Sequence, residues 1–358
     1  MRIGILLHPY DEDKPAGLAR TIFELSKGML EVDRDNEYVI FVKNKPRKDP
    51  ELPGNWKLHV LGGGLLWLDK MRFAESLDVY IFNTPVMPFF WRPSKSVVIA
   101  LDFAYWYLAE RTLKSQLRKI ITFLFHRRAL RRADAIVAIS NATKEETIKL
   151  FNIAEEKISV VWCGFKKICT VEEARIPLPS KFFFFVGIIK PRKNVFNIVK
   201  AFRHFYTVNK EYSLVIAGNG NGEYYESICK YIKENNLEKA VVWAGHLGDG
   251  ELSYIYKRAE ALVFPTLIEG FGYPVLEAMD CGVPVITSNQ SSLKEIGGDS
   301  ALLVDPYDPQ SIAKAMRVIV EKPEERERLV RDGVVWSKQF SWHKAASELL
   351  TVIRTINN

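Results

Sequence analysis

The segment PTLIEGFGYPVLEAMDCGVPVI, residues 265–286, decides the fold class because it joins an apolar strand to a helix through a glycine-rich turn. ALVFP (261–265) is typical of a buried strand, and Pro274 is a residue that commonly opens a helix. Two carboxylates interrupt this apolar run: Glu269 follows the strand, and Glu277 lies one turn inside the predicted helix. A strand that leads through glycines into a helix is one unit of an α/β fold.

The same alternation of strands and helices runs through the whole chain. Short apolar runs predict strands at residues 2–7, 38–42, 79–82, 96–101, 135–140, 158–162, 182–187, 213–218, 241–245, 261–265, 283–287 and 301–305. Helix-like stretches such as 18–31 and 112–132 separate them, and crossover connections of this kind produce parallel sheets. We therefore predict an α/β protein with two Rossmann-like, doubly wound domains whose strand ends face a central ligand cleft.

The periodic pattern is interrupted once, at residues 163–180, where Gly, Pro and charged residues replace it. A chain of 358 residues is also too long for one hydrophobic core. We assign residues 1–165 to an N-terminal domain, 166–180 to a linker, 181–340 to a C-terminal domain and 341–358 to a last helix.

The positive charge of the chain is concentrated in its first half. The net charge is +7, and residues 1–170 contain 27 Lys and Arg against 20 Asp and Glu. Residues 101–132 contain only Asp102 and Glu110 as acids. They contain eight basic residues, namely Arg111, Lys114, Arg118, Lys119, Arg127, Arg128, Arg131 and Arg132. We expect an anionic partner to meet the N-terminal half.

The location of the protein is predicted from its apolar segments and cysteines. The first residues, MRIGILLHPYDEDKP, contain an apolar run of only five, which is too short for a signal peptide. No segment approaches the ~20 apolar residues that span a bilayer, so we expect a cytosolic protein. Cys163, Cys169, Cys229 and Cys281 lack zinc-site spacing, and we expect reduced core thiols.

A second informative segment, FFFFVGIIKPRKNVFNIVKAF (182–202), places three cations before a helix. Lys190, Arg192 and Lys193 precede a helix predicted to start near Asn194, where positive charge is unfavourable by roughly 0.3–1 kcal/mol each. A bound anion would make the arrangement favourable, because the cations and the free N–H groups would all face it. A solvated basic loop explains the same residues equally well.

Glu269 and Glu277 indicate what such an anion carries. Two carboxylates at a strand end and a helix start can accept hydrogen bonds from hydroxyl groups, while glycine amides face a phosphate. A nucleotide sugar combines hydroxyl groups with a diphosphate. The alternative is structural: Glu277 would favour the helix N-terminus and Glu269 would be a solvated loop residue.

The segment EGFGYPVLEAMDCGVPVI (269–286) resembles the E-x7-E signature of glycosyltransferase family 4, whose members are retaining enzymes of the GT-B fold. Further matches extend the resemblance over nearly the full chain: AGLAR (16–20), ADAIVAISNATKEE (133–146), PRKN (191–194), GHLGDGEL (245–252), SNQSSLKEIGGDSALLVDP (288–306) and FSW (340–342). The segment at 288–306 is most similar to that of mannosyltransferase-like members. The resemblance also implies that the last helix crosses back onto the first domain.

The resemblance implies a role for individual residues of the donor site. Arg192 and Lys193 would hold the donor diphosphate, Glu269 the sugar hydroxyls, and Glu277 the ribose. His246 and Leu247 would border the nucleobase. Backbone or close-approach contacts to the donor would come from Gly17 in the other domain and from Gly187, Gly218, Gly270, Phe271 and Gly272.

The resemblance further implies transfer of a hexosyl group, with retained anomeric configuration, to a glycan or lipid-linked acceptor. Such a reaction would serve the synthesis of cell-surface polysaccharide or glycolipid. GDP-mannose is the favoured donor, and a UDP-sugar is the alternative. Electrostatic preorganisation would matter more than a nucleophile, with Arg192, Lys193, Glu269 and Asp102 as the catalytic set.

One position departs from the family pattern. Members often carry His-Asp after a late strand of the first domain, whereas this chain has Leu101-Asp102. Asp102 remains available as an acceptor-side base, and His8 after the first strand could take part, although a turn role suits it better.

Two Asp-x-Asp sequences, at residues 11–13 and 33–35, raise the alternative of a metal clamp. Their flanking residues are those of ordinary turns, so we prefer solvated turns. The basic residues already supply positive charge for a diphosphate, and we expect no metal and no other cofactor.

The basic segment LKSQLRKIITFLFHRRALRR (113–132) has two interpretations. Residues 111–132 could form an interfacial helix that contacts an anionic membrane at the inner face of the cell membrane. We prefer a domain helix with its apolar side in the core, whose basic face alone could touch lipid. Nucleic acid binding is disfavoured because no recognised motif or aromatic platform accompanies the charge.

Three other functions remain as alternatives. A nucleotide-sugar epimerase shares the fold, and a non-catalytic partner subunit would bind donor without turnover. A dinucleotide oxidoreductase also has α/β domains, but no G-x-G-x-x-G follows a strand, and GNGNG (218–222) has the wrong spacing.

Overall fold

The computed structural model of the chain describes residues 1–8, 17–46, 49–74, 76–107 and 112–357. The chain divides into two compact units, Met1–Gly164 with Phe340–Asn358, and Phe165–Gln339. Each unit contains one sheet in which every strand pair is parallel, as the alternating pattern of the sequence predicts.

The first unit has the strands β1 Arg2–Leu6, β2 Glu37–Val42, β3 Trp56–Val60, β4 Val79–Phe82, β5 Ser96–Ala100, β6 Ala135–Ala138 and β7 Ile158–Val160. They pair in the order β3-β2-β1-β4-β5-β6-β7, so the winding direction reverses between β1 and β4. The strands β4, β5 and β6 are buried at every residue, which makes them continuous apolar runs in the sequence. The edge strand β3 escaped prediction because Lys57 and His59 interrupt it and it is only partly buried.

The helices follow the strands in alternation. Along the chain they are α1 Gly17–Val32, α2 Ala104–Tyr107, α3 Leu113–Arg132, α4 Asn141–Phe151, α5 Val195–Tyr206, α6 Gly222–Glu234, α7 Asp249–Tyr256, α8 Tyr273–Asp280, α9 Ser291–Gly297, α10 Pro309–Glu321, α11 Pro323–Ser337 and α12 Trp342–Asn357. Short 3-10 helices occur at Trp67–Phe73, Glu155–Lys157, Ile168–Thr170, Pro191–Lys193 and Gly298–Ser300. Helix α12 packs against α1 and belongs to the first unit.

Close backbone approach holds α12 in place. A Cβ atom added to Gly28 of α1 would lie 2.9 Å from the Trp342 carbonyl oxygen, and one added to Gly164 would lie 2.3 Å from the Trp342 nitrogen. The rings of Trp162 and Phe340 stack at 5.1 Å beside this contact. Only glycine at residues 28 and 164 lets α12 sit so close to the rest of the first unit.

The second unit has the strands β8 Phe182–Val186, β9 Ser213–Ala217, β10 Val241–Gly245, β11 Ala261–Phe264, β12 Val285–Ser288 and β13 Leu302–Val304. They pair in the order β10-β9-β8-β11-β12-β13, so the winding direction reverses between β8 and β11. The four phenylalanines of β8 are almost fully buried, and this strand lies at the centre of the sheet. Ligands of doubly wound sheets bind beyond the carboxyl ends of the strands at such a reversal.

The segment that precedes β8 packs onto the second unit. The Ser253 hydroxyl of α7 donates to the Val171 carbonyl at 3.1 Å, and the Ala174 amide donates to the Gly250 carbonyl at 3.0 Å. Cys169 and Cys281 form a disulfide across 112 residues of sequence. The expectation of four reduced thiols is therefore wrong for this pair, because folding brings together two cysteines that are far apart in the chain.

Asn194 connects three loops at the carboxyl edge of the second sheet. Its side-chain amide donates to the carbonyl of Pro265 at 2.9 Å and to that of Pro306 at 2.6 Å, so it links the loops after β8, β11 and β13. The residue is buried and adopts a left-handed conformation with φ +61°, which asparagine tolerates better than most residues. Asn194 thereby fixes the loop that carries Arg192 and Lys193.

Helix α3 presents apolar side chains to solvent. Ala129 and Leu130 are buried, but six larger apolar side chains of the helix are exposed, namely Leu113, Leu117, Ile120, Ile121, Leu124 and Phe125. The prediction that α3 turns its apolar side to the core is wrong for these six residues. Among the helices that the structure describes, none is both long and apolar enough to cross a membrane.

The disulfide leads to a stability prediction. We expect Cys281→Ser to lower the free energy of unfolding by about 2–4 kcal/mol under non-reducing conditions, because the crosslink restricts the unfolded chain. Urea unfolding with and without dithiothreitol measures this loss. Dithiothreitol should destabilise the natural protein and leave the variant unchanged, and Cys229→Ser serves as a control outside the disulfide. Insensitivity of the natural protein to dithiothreitol would contradict the crosslink.

The loop connections lead to a second prediction. Asn194→Ala removes the donor that the buried Pro265 carbonyl uses, and such a loss costs about 1–3 kcal/mol. Asn236→Ala is the matched control, because Asn236 is exposed and has a similar φ of +53°. Urea unfolding should show that Asn194→Ala is the more destabilised variant by about this amount. Equal losses would mean that backbone conformation alone explains the effect.

Candidate functional site

The candidate site lies where the second sheet reverses its winding direction. Strands β8 and β11 are neighbours, with Ala261 opposite Phe183 and Leu262 opposite Phe184. The loops after them, residues 187–194 and 265–272, therefore start side by side at the carboxyl edge of the sheet. The Leu267 amide donates to the Arg192 carbonyl at 2.8 Å and joins the two loops directly.

Glu269 meets both predicted cations at this edge. Lys193 Nζ lies 2.5 Å from Glu269 Oε1, and an Arg192 guanidinium nitrogen lies 3.2 Å from the same oxygen. The side chains of Lys193 and Glu269 are only 12% and 13% exposed, whereas that of Arg192 is 30% exposed. Lys193 also lies 4.9 Å from the centre of the Phe264 ring. The result is a compact, largely desolvated cluster of one carboxylate and two cations.

This cluster modifies the sequence-based interpretation of the basic loop. The segment around Arg192 and Lys193 allows either a bound anion or a solvated basic loop, and the structure shows that Glu269 supplies one negative charge from within the chain. One carboxylate against two cations leaves a net positive charge. A ligand with further negative charge is favoured at such a site, particularly where water is largely excluded.

The backbone of Glu269 is held by residues at the start of α9. The hydroxyls of Ser291 and Ser292 each donate to the Glu269 carbonyl at 2.8 Å, and Gln290 Nε2 donates to the Leu267 carbonyl at 3.3 Å. Ser291 opens α9 with φ +56°, an uncommon conformation for a residue other than glycine. Sequence reasoning used these residues only as part of the 288–306 match, and the two adjacent serines at the start of a helix were the available signal.

Helix α8 carries Glu277 next to the same edge. It begins after Gly272, whose φ of +113° favours glycine and where an added Cβ atom would lie 2.6 Å from Leu293 Cδ2, and Pro274 occupies its first turn. The hydroxyl of Tyr256 donates to a Glu277 carboxylate oxygen at 3.3 Å. Burial, together with the Glu277 charge, raises the pKa of Tyr256 well above its usual value. Tyr256 is thus a neutral donor that orients Glu277, and the sequence did not identify it.

The remaining predicted residues of the second unit have different surroundings. A Cβ atom on Gly218 would lie 1.9 Å from the Gly187 carbonyl oxygen, so these two glycines permit the backbones after β8 and β9 to touch. His246 is exposed and Leu247 half-buried in the turn after β10. Phe271 is buried. All of these residues lie at the carboxyl edge of the sheet, together with Gly270.

Gly17 and Asp102 belong to the first unit. Gly17 opens α1, and the loop that precedes it lies outside the described residues. Asp102 is exposed after β5, and its carboxylate accepts from the Ala104 amide at 3.1 Å. Burial and the charge of Asp102 raise the pKa of Glu146, which therefore lies near Asp102. His8 packs edge-on against Trp67, with ring centres 5.0 Å apart.

The structure describes one of the two Asp-x-Asp sequences. The first, at residues 11–13, lies outside the described residues. In the second, the buried Asp33 accepts hydrogen bonds from Asn36 at 2.6 Å and from the Tyr38 hydroxyl. Burial raises the pKa of Asp33, but these hydrogen bonds outweigh it and lower the pKa overall. Within the described ranges, no three His, Cys, Asp or Glu side chains converge as a metal site would require.

Two family models match the chain and together cover most of it. The model described as Glycosyltransferase Family 4 matches residues 15–166, and the model of glycosyl transferases group 1 matches residues 170–336. The boundary between the two matches falls close to residue 165, where the second unit begins.

Two mannosyltransferases are among the proteins of similar sequence. O-antigen chain mannosyltransferase B of Escherichia coli is 27% identical over 287 residues, which span 77% of this chain and 74% of that protein. O-antigen chain mannosyltransferase RfbU of Salmonella typhimurium is 28% identical over 210 residues, which span 59% of this chain and 58% of that protein.

Solved structures show the same fold over the whole chain. Sucrose-phosphate synthase from Thermosynechococcus elongatus superposes with a TM-score of 0.78 at 17% identity, over 99% of this chain and 98% of that one. HepE of Anabaena, solved with UDP-glucose, gives 0.72 at 16% identity over 98% and 100%. The predicted α/β fold class, GT-B with two Rossmann-like units, is confirmed. The chain belongs to glycosyltransferase family 4 and is a glycosyltransferase.

Proposed function

We propose that the enzyme transfers a hexosyl group, with mannosyl favoured, from a nucleoside-diphosphate sugar to a glycan or lipid-linked acceptor with retention of configuration. The observation that carries this proposal is the cluster of Lys193, Arg192 and Glu269 at the reversal point of the second sheet. The names of the two related O-antigen chain mannosyltransferases support mannose and a role in cell-surface polysaccharide or glycolipid synthesis. The structure of HepE with UDP-glucose supports a nucleotide-sugar donor.

In the proposed donor complex, the two cations bind the diphosphate. Arg192 is the more exposed cation and would meet the phosphate oxygens first, whereas Lys193 is held against Glu269 and the Phe264 ring. As the sugar leaves, negative charge grows on the diphosphate, and fixed cations in a poorly hydrated site stabilise it. The cations would serve as the electrophilic catalyst, and no metal is part of the proposal.

The carboxylates would receive the neutral part of the donor. Glu269 would accept hydrogen bonds from sugar hydroxyls, and Glu277, which Tyr256 orients, would accept from the ribose. His246 and Leu247 would border the base. Backbone contacts would come from a set of residues at loop and helix starts, namely Gly17, Gly187, Gly218, Gly270, Phe271 and Gly272. GDP-mannose is the favoured donor, with a UDP-sugar as the alternative.

On the acceptor side, we place Asp102 as the base. Its neighbour Glu146 is a second carboxyl group of the first unit. The pKa of Glu146 is raised, so this group holds its proton to higher pH than an ordinary glutamate. Leu101 stands where the family often has histidine, so the acceptor hydroxyl would be activated by carboxylate and leaving phosphate alone. The acceptor would reach the enzyme at the inner face of the cell membrane, where basic residues 111–132 contact anionic lipid.

A donor screen provides the first test. Thermal unfolding with GDP-, UDP- and ADP-sugars should show stabilisation by one nucleotide class, and mass spectrometry should then show sugar transfer to an acceptor from a glycan panel. NMR of the product would establish whether the anomeric configuration is retained. A new sugar nucleotide formed from donor alone would indicate an epimerase, and donor binding without any turnover would indicate a non-catalytic subunit.

The ion cluster leads to a prediction for Lys193→Gln, Glu269→Gln and the double variant. Glu269→Gln leaves two cations without their carboxylate in a largely buried cluster and should lower stability most, whereas Lys193→Gln leaves Glu269 paired with Arg192. The double variant removes one of the two cations again and should regain part of the stability that Glu269→Gln loses. Transfer should fall by about 100-fold or more in all three variants, because Lys193→Gln removes a cation that would stabilise the leaving diphosphate and Glu269→Gln removes the carboxylate that would accept from the sugar hydroxyls. Thermal unfolding and kcat/KM measure the two effects separately.

The decisive comparison is the double variant. If the cluster is purely structural, the double variant should regain transfer activity together with stability. That result would overturn the site assignment. Lys210→Gln is the matched control, because Lys210 is an exposed lysine of the same unit outside the cluster. It should retain both stability and kcat/KM.

A further inference from the structure

Helix α3 has an outward face that is apolar. Leu113, Leu117, Ile120, Ile121 and Leu124 recur at intervals of three and four residues, which place them on one side of a helix with about 3.6 residues per turn. Leu113 is 85% exposed and Leu117 is 59% exposed. Phe125 continues this face, which we call the α3 ridge: residues 113, 117, 120, 121, 124 and 125.

The opposite side of α3 already fills the core of the first unit. Phe123 stacks on Phe151 of α4 at 4.9 Å, and the ring of His126 packs edge-on against Phe103 at 6.1 Å. Ala129 and Leu130 complete the buried side. The α3 ridge is thus additional to the helix's own core contacts, and an exposed apolar surface of this kind marks an interaction site.

The charged side chains of helix α3 itself are all basic. Residues 113–132 contain seven basic residues and no Asp or Glu. Burial lowers the pKa of His126 to about 4, so this histidine adds no charge near neutral pH. By the helical period, Arg118 lies next to Phe125 on one side of the ridge, and Arg127 lies next to Ile120 on the other. An apolar strip between cations matches a surface that has both negative headgroups and an apolar interior.

A neighbouring loop extends the apolar surface. Phe89 and Phe90 are exposed, and the Arg128 guanidinium lies 4.4 Å from the centre of the Phe89 ring. Arg128 and Arg132 of α3 both donate to the carbonyl of Phe89, and this holds the loop against the end of the helix. The two phenylalanines therefore sit at a fixed place beside the helix.

We propose that the α3 ridge, with Phe89 and Phe90, inserts into the headgroup region of an anionic lipid bilayer. The apolar side chains enter the acyl boundary while the flanking cations bind lipid phosphates, as in interfacial helices. This proposal rests on the proposed function, in that it specifies how the enzyme would contact the membrane. It reverses the sequence-based preference, which left lipid contact to the basic face alone.

The charge favours lipid over a second copy of this chain as the occupant. A symmetric dimer through the α3 ridge would bring two helices with seven basic residues each, and no acids, against one another. Anionic lipid neutralises those charges instead. A protein partner would need a matching acidic surface, and it remains an outcome of the test below.

Vesicle binding of the full chain tests the proposal. Co-sedimentation should be strong with vesicles of phosphatidylglycerol and phosphatidylcholine, and weak with phosphatidylcholine alone. Leu117→Gln/Leu124→Gln should lower the partition coefficient by about tenfold or more, because two apolar side chains no longer enter the bilayer. Arg127→Gln/Arg131→Gln should lower it by about fivefold per residue at low salt, with less effect as salt is raised.

The controls separate the interface from the rest of the enzyme. Val208→Gln/Val335→Gln replaces two exposed apolar residues of the second unit and should leave vesicle binding unchanged. Thermal shifts with GDP- and UDP-sugars should be the same for all variants, since α3 lies outside the donor site. Loss of transfer with intact vesicle binding would count against the proposed function alone.

Three results would overturn the membrane contact. The first is equal vesicle binding by the natural protein and by Leu117→Gln/Leu124→Gln. The second is no vesicle binding by an enzyme that transfers sugar to soluble acceptors. The third is a dimer in sedimentation velocity that this double variant abolishes. The last result would assign the α3 ridge to a second copy of the chain.

Discussion

The pairing of β8 with β11 is the constraint on which the candidate donor site depends. The two strands are distant in sequence but adjacent in the sheet, and the winding direction reverses between them. Their following loops therefore begin together at one edge, where Lys193, Arg192 and Glu269 meet. The register of buried strands thus brings opposite charges together, and Asn194 and the two serines of α9 secure the loops that carry them.

The cluster also explains how a loop of like charges can exist in a poorly hydrated place. Lys193 is largely buried, and a buried charge is costly unless a partner compensates it. Glu269 supplies that partner while leaving one excess positive charge. Such a site holds its cations in position before any ligand arrives, so that less reorganisation is needed when negative charge develops. Glu277 is oriented in a comparable way by the neutral hydroxyl of Tyr256.

The strands of both sheets were predictable because parallel strands are buried on both faces and appear as continuous apolar runs. The edge strand β3 was not, since it is only partly buried and contains charged and polar residues. Two expectations failed for related reasons. Helical periodicity shows that α3 has an apolar side but not which side the core will use, and the spacing of Cys169 and Cys281 contains no sign that they meet.

The sequence by itself determined the α/β class, the family and the residue types of the loops at the candidate site, because strand runs, glycine turns and the E-x7-E pattern are local features. Only the tertiary structure decided that Glu269 pairs with Lys193 and Arg192, that Asn194 joins three loops, and that α3 turns apolar side chains outward. These facts depend on which strands pair in the sheet and on which face of a helix packs against the core. Such contacts join residues that are distant along the chain, where local patterns carry no information.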